Sequence, residues 1–135
     1  VTGERVALNL VDARIPDNDG AQPIDEPSLA DAPAAVFSSL PVKAIVQDAV
    51  AAGIPTSLST TAGTFVCNHV FFRAAVWAED AGRRAGFVHV PWGTGQAPAD
   101  EPELPVSDIA RALLIAIRTT LDTESDVQAV GGSLH

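Results

Sequence analysis

Apolar residues along this chain fall into two spacings, and their alternation outlines the fold. Residues 5–11 (RVALNLV) form a short, nearly continuous apolar run that reads as a strand. Residues 12–35 are dense in Pro, Asp, Asn and Gly; a loop of that length inside a compact domain is either functional or disordered. Residues 36–40 (VFSSL) predict a short edge strand. Pro41 suits a first helical turn; Val42, Ile45, Val46, Ala49 and Val50 then recur at helical spacing, and Gly53 supplies the stop. Residues 55–60 (PTSLST) predict the next strand, and the small-residue turn 61–64 leads into a helix over 66–81. The inward stripe of that helix is expected at Val66, Val70, Ala74, Trp77 and Ala81. Residues 87–90 (FVHV) predict a strand closed by Pro91, and 91–105 form a second loop rich in Pro, Gly and acid.

The last helix is predicted over 107–121, with Ser107 as N-cap and an inner face of Val106, Ile109, Leu113, Ala116 and Ile117. The polar tail 122–135 is expected to be loosely held. Strand, loop, helix, strand, helix, strand, helix implies an α/β layer structure with a mostly parallel sheet. There is no internal repeat.

Composition narrows the choices. A chain of 135 residues fits one domain, residues 1–135, and is long enough to bury a genuine core. The 17 acidic against 8 basic side chains give a net charge of −9, which disfavours nucleic acid and anionic membrane surfaces as partners. Charged residues make up only 19%, so the chain is not of the disordered class. One cysteine allows no internal disulfide and points to a reducing compartment. Neither a membrane-spanning run nor a signal peptide is readable. There is no methionine, at position 1 or elsewhere, and the chain is not expected to begin where its gene begins.

Cys67 falls in the first turn of the helix predicted after a strand and a small-residue turn. Free backbone N–H groups and the helix dipole favour a thiolate there, although the dipole supplies only about 0.3–1 kcal/mol. A cationic partner is therefore required, and His89 is the best candidate, expected at the end of the neighbouring strand. A cysteine and a histidine with an acid to orient the ring are the ingredients of thiol acyl transfer. The competing reading of Cys67 is a small buried hydrophobe, and of His89 a satisfied core histidine. Metal binding has weak support: Cys67 and His69 point in different directions on one helix, and there is no zinc-type ligand set. No phosphate-binding glycine motif is present. Arg83 and Arg84 are expected at a solvated helix end, and Phe71, Phe72 and Trp77 in the core or a subunit contact.

Residues 61–72 (TAGTFVCNHVFF) closely resemble the pyrrolidone carboxyl peptidases, or pyroglutamyl peptidases I, a family of cysteine peptidases. Glu4 to Asn9 (ERVALN), Asp12 to Pro27 and residues 87–91 match further family segments. The resemblance runs from about residue 3 to the final GGSLH. It implies Cys67 as nucleophile, His89 as general base and Glu4 as the acid orienting the histidine. Arg14 is implied to hold the oxyanion together with the Cys67 N–H, and Phe65 and Val66 to wall the pyroglutamyl pocket. The implied activity is removal of N-terminal pyroglutamate (5-oxoproline) from peptides, without cofactor or metal. The implied setting is a cytoplasmic homo-oligomer, a tetramer in bacterial members, and the implied fold a three-layer α/β/α sandwich around a twisted mixed sheet.

If Glu4 opens the strand at 5–11, it starts at the wrong edge for residues that follow their strands. The site then closes only if 5–11 runs antiparallel to the strands at 55–60 and 87–90, and that orientation is the expectation. The chain resembles the C-terminal part of such an enzyme, the N-terminal portion being absent. Two other readings stand beside the peptidase: a non-catalytic truncated chain serving as an assembly subunit, and a thiol acyltransferase of different specificity.

Overall fold

The computed structural model describes residues 1–132. Along the chain lie β1 (Thr2–Glu4), β2 (Val6–Leu8), β3 (Ala35–Phe37), α1 (Val42–Ala51), β4 (Ser57–Ser59), α2 (Val66–Asp80), β5 (Phe87–His89), β6 (Trp92–Gly93), β7 (Glu103–Leu104) and α3 (Val106–Asp122). β4, β1 and β5 share a sheet in that order, while β2 pairs with β3 and β6 with β7. Antiparallel β2–β3 and parallel β6–β7 pairing, with three helices among the described residues, make this the mixed α/β fold expected. The residues divide into two units: 1–3, 41–58 and those from 88 onward form the first, and 4–40 with 59–87 the second.

In the second unit β2 and β3 pair as Val6 to Phe37, Ala7 to Val36 and Leu8 to Ala35. α2 packs across both strands. Ala7, Val36, Phe71, Phe72 and Ala75 form the core, and the Phe71 and Phe87 rings meet at 6.0 Å between centroids. The helix does not bury the expected stripe. Val66, Val70 and Trp77 are 54%, 49% and 58% exposed, whereas Asn68, Phe71, Phe72, Ala75 and Ala78 face inward. α2 is apolar nearly all round, so periodicity offered two stripes; the one carrying the two phenylalanines removes more apolar area from water. Trp77 instead lies under the Arg83 guanidinium, 5.3 Å from the ring centroid.

In the first unit α1 packs on α3. Gly53, at φ +79°, stops α1 as expected. Val42, Ile45 and Ala49 are buried as predicted, but Val50 is exposed and Ala44 takes its place in the core. α3 contributes Ala112, Ala116 and Thr119, small residues that let the helices approach, while Val106, Leu113 and Ile117 stay exposed. Ser107 is not the N-cap: Pro105 holds that position, and among the described residues no side chain caps α3. The tail is tied down, because the Asp126 carboxylate accepts the Lys43 and Ala44 N–H groups at the start of α1, at 3.0 Å each. Lys43 Nζ in turn donates to Ala129 O. The last three residues of the expected loose tail, 133–135, lie outside the described residues.

The run 5–11 also differs from expectation. Arg5 breaks it, so Glu4 closes β1 rather than opening a strand. The antiparallel strand within 5–11 is β2, but its partner is β3 and not β4 or β5. β1 advances in step with β4: Ser57 N donates to Val1 O at 3.0 Å, and further along Arg5 N donates to Ser59 O at 2.8 Å. The wrong-edge problem therefore does not arise for Glu4 and Cys67. Glu4 leaves β1 beside Ser59, the residue from which the chain turns toward Cys67.

Candidate active site

Small residues make the turn between β4 and α2. Ser59 Oγ donates to Thr61 O at 3.0 Å, and Gly63 N donates to Thr61 Oγ1 at 3.0 Å. Gly63 sits at φ +79°, in the left-handed region that glycine adopts without cost. Phe65 takes the N-cap position of α2, and among the described residues no side chain caps the helix. The first bond of the helical ladder is His69 N to Phe65 O at 3.0 Å, so the N–H groups of Val66, Cys67 and Asn68 precede it. Cys67 therefore has its sulfur at a helix N-terminus, and it is half-buried, not sealed in the core.

Asn68 is fully buried, and its amide grips the strand beside it. Its Oδ1 accepts Leu8 N at 2.8 Å, while Nδ2 donates to Leu8 O at 2.8 Å and Leu10 O at 3.0 Å. Asp12 N donates to Thr64 O at 2.7 Å, two residues before Arg14 and three before Cys67. Val11 and Ala13 are buried and Arg14 is exposed, the alternation of an extended segment. Ala13 is held on both sides, by Pro23 O at 2.8 Å and by Gln22 Nε2 at 2.9 Å. Asn9 anchors the long loop, accepting Leu29 N at 2.9 Å and donating to Leu29 O and Ala32 O.

Four of the expected site residues besides Cys67 thus share its unit: Glu4, Arg14, Phe65 and Val66. Glu4 is 1% exposed, a burial at which a carboxylate must be engaged. Phe65 and Val66 line a hollow of about 290 Å³ whose other walls are largely apolar: Val11, Ala13, Ile15 and Pro23, with Asp17 and His69. His89 ends β5, half-buried, in the first unit, where it borders a hollow of about 370 Å³ with Pro55, Val90, Pro91 and Leu104. His69 is engaged with Ser28, Nδ1 to Oγ at 3.2 Å. Among the described residues no group of three His, Cys, Asp or Glu is placed to hold a metal ion.

Sequence reasoning missed Asn68 and Asn9. A signal for Asn68 existed: it precedes Phe71, Phe72 and Ala75 at helical spacing and so shares their inward face.

A family profile described as pyroglutamyl peptidase matches residues 1–123. The chain belongs to the pyroglutamyl peptidase family. It is 51% identical to a pyrrolidone-carboxylate peptidase of Cupriavidus pinatubonensis, the match covering 98% of this chain and 63% of the relative. It is 48% identical to one of Streptomyces coelicolor, over 100% of this chain and 65% of the relative. The pyrrolidone carboxyl peptidase of Thermococcus litoralis superposes with a TM-score of 0.90 at 37% identity, covering 96% of this chain and 64% of that one. Pyroglutamyl peptidase I of Bacillus amyloliquefaciens gives a TM-score of 0.88 at 42% identity, covering 96% and 63%. The chain thus spans just under two-thirds of the length of these pyroglutamyl peptidases. The match includes the turn and first helical turn around Cys67 and the whole of β5.

Proposed function

We propose that this chain carries the chemistry of a cysteine exopeptidase that removes N-terminal pyroglutamate from peptides. The observation that carries the reading is Cys67, half-buried in the first turn of an uncapped helix, in a chain of the pyroglutamyl peptidase family. The Cys67 sulfur attacks the carbonyl carbon of the pyroglutamyl residue, its proton passing to His89. The negative charge that develops on the carbonyl oxygen is held by the Cys67 N–H and by Arg14, each such donor being worth about 3–4 kcal/mol in transition-state stabilisation. As the C–N bond breaks, His89 returns its proton to the leaving amine; it then takes a proton from water, which attacks the thioester and frees 5-oxoproline and the thiol. Glu4 orients the imidazole.

A lactam carries no ammonium group, so its site needs apolar walls more than a counter-carboxylate. The hollow lined by Phe65 and Val66 supports this. The reaction calls for no cofactor or metal. On this reading the protein works as a cytoplasmic homo-oligomer with residues 1–135 in one catalytic domain, and light scattering of the purified protein tests the assembly. Among the described residues no helix is long and apolar enough to cross a membrane.

The test is turnover of a pyroglutamyl–fluorophore amide by the wild-type chain and by Cys67→Ser. The reading expects release of fluorophore by the wild type and a loss of about 10³-fold or more in the variant. No release by a folded wild-type chain contradicts it and favours an assembly role.

A further inference from the structure

We propose that Asn68 is a positioning residue, whose buried amide keeps the segment carrying Arg14 in register with the helix turn carrying Cys67. The inference rests on the peptidase reading above, in which Arg14 and the Cys67 N–H hold one oxyanion.

Oxyanion stabilisation is sensitive to placement, since donors act at full strength only when already aimed at the charge that forms. The two donors here come from different parts of the sequence, and Arg14 is exposed on an extended segment whose partners, Glu26 for Val11 and Pro23 for Ala13, belong to the long loop and not to α2. Something must fix that segment to α2. Asp12 N to Thr64 O provides one backbone tie, at 2.7 Å. The Asn68 amide provides three more: with one acceptor and two donated protons it satisfies Leu8 N, Leu8 O and Leu10 O, as a neighbouring strand would. Asn68 is fully buried, so losing the amide takes from Leu8 N, Leu8 O and Leu10 O the partner that satisfies them in the interior. Its backbone belongs to the same helical turn as Cys67, so the strand end and the nucleophile move together. Asn68 neither touches the substrate nor moves a proton in this scheme; it acts through Arg14.

The experiment is a double-mutant cycle on pyroglutamyl–fluorophore hydrolysis by Asn68→Ala, Arg14→Ala and the double variant, with circular dichroism as the fold check. Asn68→Asp, which keeps the volume and the acceptor for Leu8 N but weakens donation to Leu8 O and Leu10 O, serves if the alanine variant does not fold. The expected result is a fall in kcat of about 10²-fold with KM changed by less than about threefold, the signature of misplacement in the transition state. The rate of Cys67 alkylation by iodoacetamide, which needs no oxyanion site, stays at the wild-type value. The double variant loses little more than Arg14→Ala alone, because both changes remove the same interaction.

A folded Asn68 variant with wild-type kcat overturns the inference and leaves the peptidase reading standing. So does a double variant whose loss is the product of the two single losses. Unfolding of both the alanine and the aspartate variants assigns Asn68 to stability alone and overturns the positioning role. Absence of hydrolysis by the wild-type chain removes the peptidase reading and this inference with it.

Discussion

Single side chains carry most of the chemical argument, and Glu4 carries a large share of it. A carboxylate at 1% exposure is costly to retain unless it has a task. In the proposed triad that task is to hold His89 in one tautomer and orientation. Glu4→Gln keeps the shape and removes the charge, and it is expected to lower kcat by about 10²- to 10⁴-fold. Steady-state kinetics on the folded variant check this; an unchanged kcat removes Glu4 from the site. The positions of Cys67 and His89 at element ends were legible from the turn residues and apolar runs around them. Asn68 was not legible as a clamp, since its partners lie about 60 residues away and backbone groups leave no mark in a side-chain pattern. Glu4 was expected to open a strand and instead closes β1, because an apolar run does not show that Arg5 divides it.

At the scale of elements, the existence of all three helices and of β4 and β5 followed from periodicity and turn residues. Which face each helix buries did not. α2 and α3 each carry two apolar stripes, and only the partner decides between them: phenylalanines against β2 and β3 for α2, small residues against α1 for α3. The start of α1 gives a direct check. Asp126 supplies from a distant segment the cap that Pro41 cannot, so Asp126→Ala is expected to cost about 1 kcal/mol, read as a lowered midpoint in urea unfolding. Gly86 gives another. A Cβ there would meet the Leu40 side chain at 2.6 Å, so Gly86→Ala is expected to destabilise by about 1–3 kcal/mol in the same measurement.

The loop between β6 and β7, within the stretch expected to be a loop rich in Pro, Gly and acid, is closed by Glu103, whose carboxylate accepts Gly95 N at 2.9 Å and Ala97 N at 3.1 Å. These two backbone bonds hold its carboxyl below the usual glutamate value. A group depressed in the folded state adds stability above its unfolded pKa and loses it as pH falls through the folded one. The Gly95 and Ala97 amide resonances are therefore expected to titrate together, with a midpoint below that of a free glutamate; a midpoint at or above it contradicts the closure.

For the whole molecule, the class, the acidic balance and the family were all open to reading in the sequence. The long motifs around Cys67 and from Asp12 to Pro27 did more than periodicity could, because they place particular side chains and not only elements. What stayed hidden was pairing: that β2 turns away to β3, and that β1 and β4 advance together, depends on contacts that local pattern does not encode. The proposed function stands on one event, transfer of the pyroglutamyl group to the Cys67 sulfur. Brief mixing with a pyroglutamyl ester, an acid quench and peptide mapping by mass spectrometry reads that event directly. One pyroglutamyl group on the peptide containing Cys67, absent in Cys67→Ser, is the predicted result. An unlabelled Cys67, or the acyl group on any other residue, contradicts it.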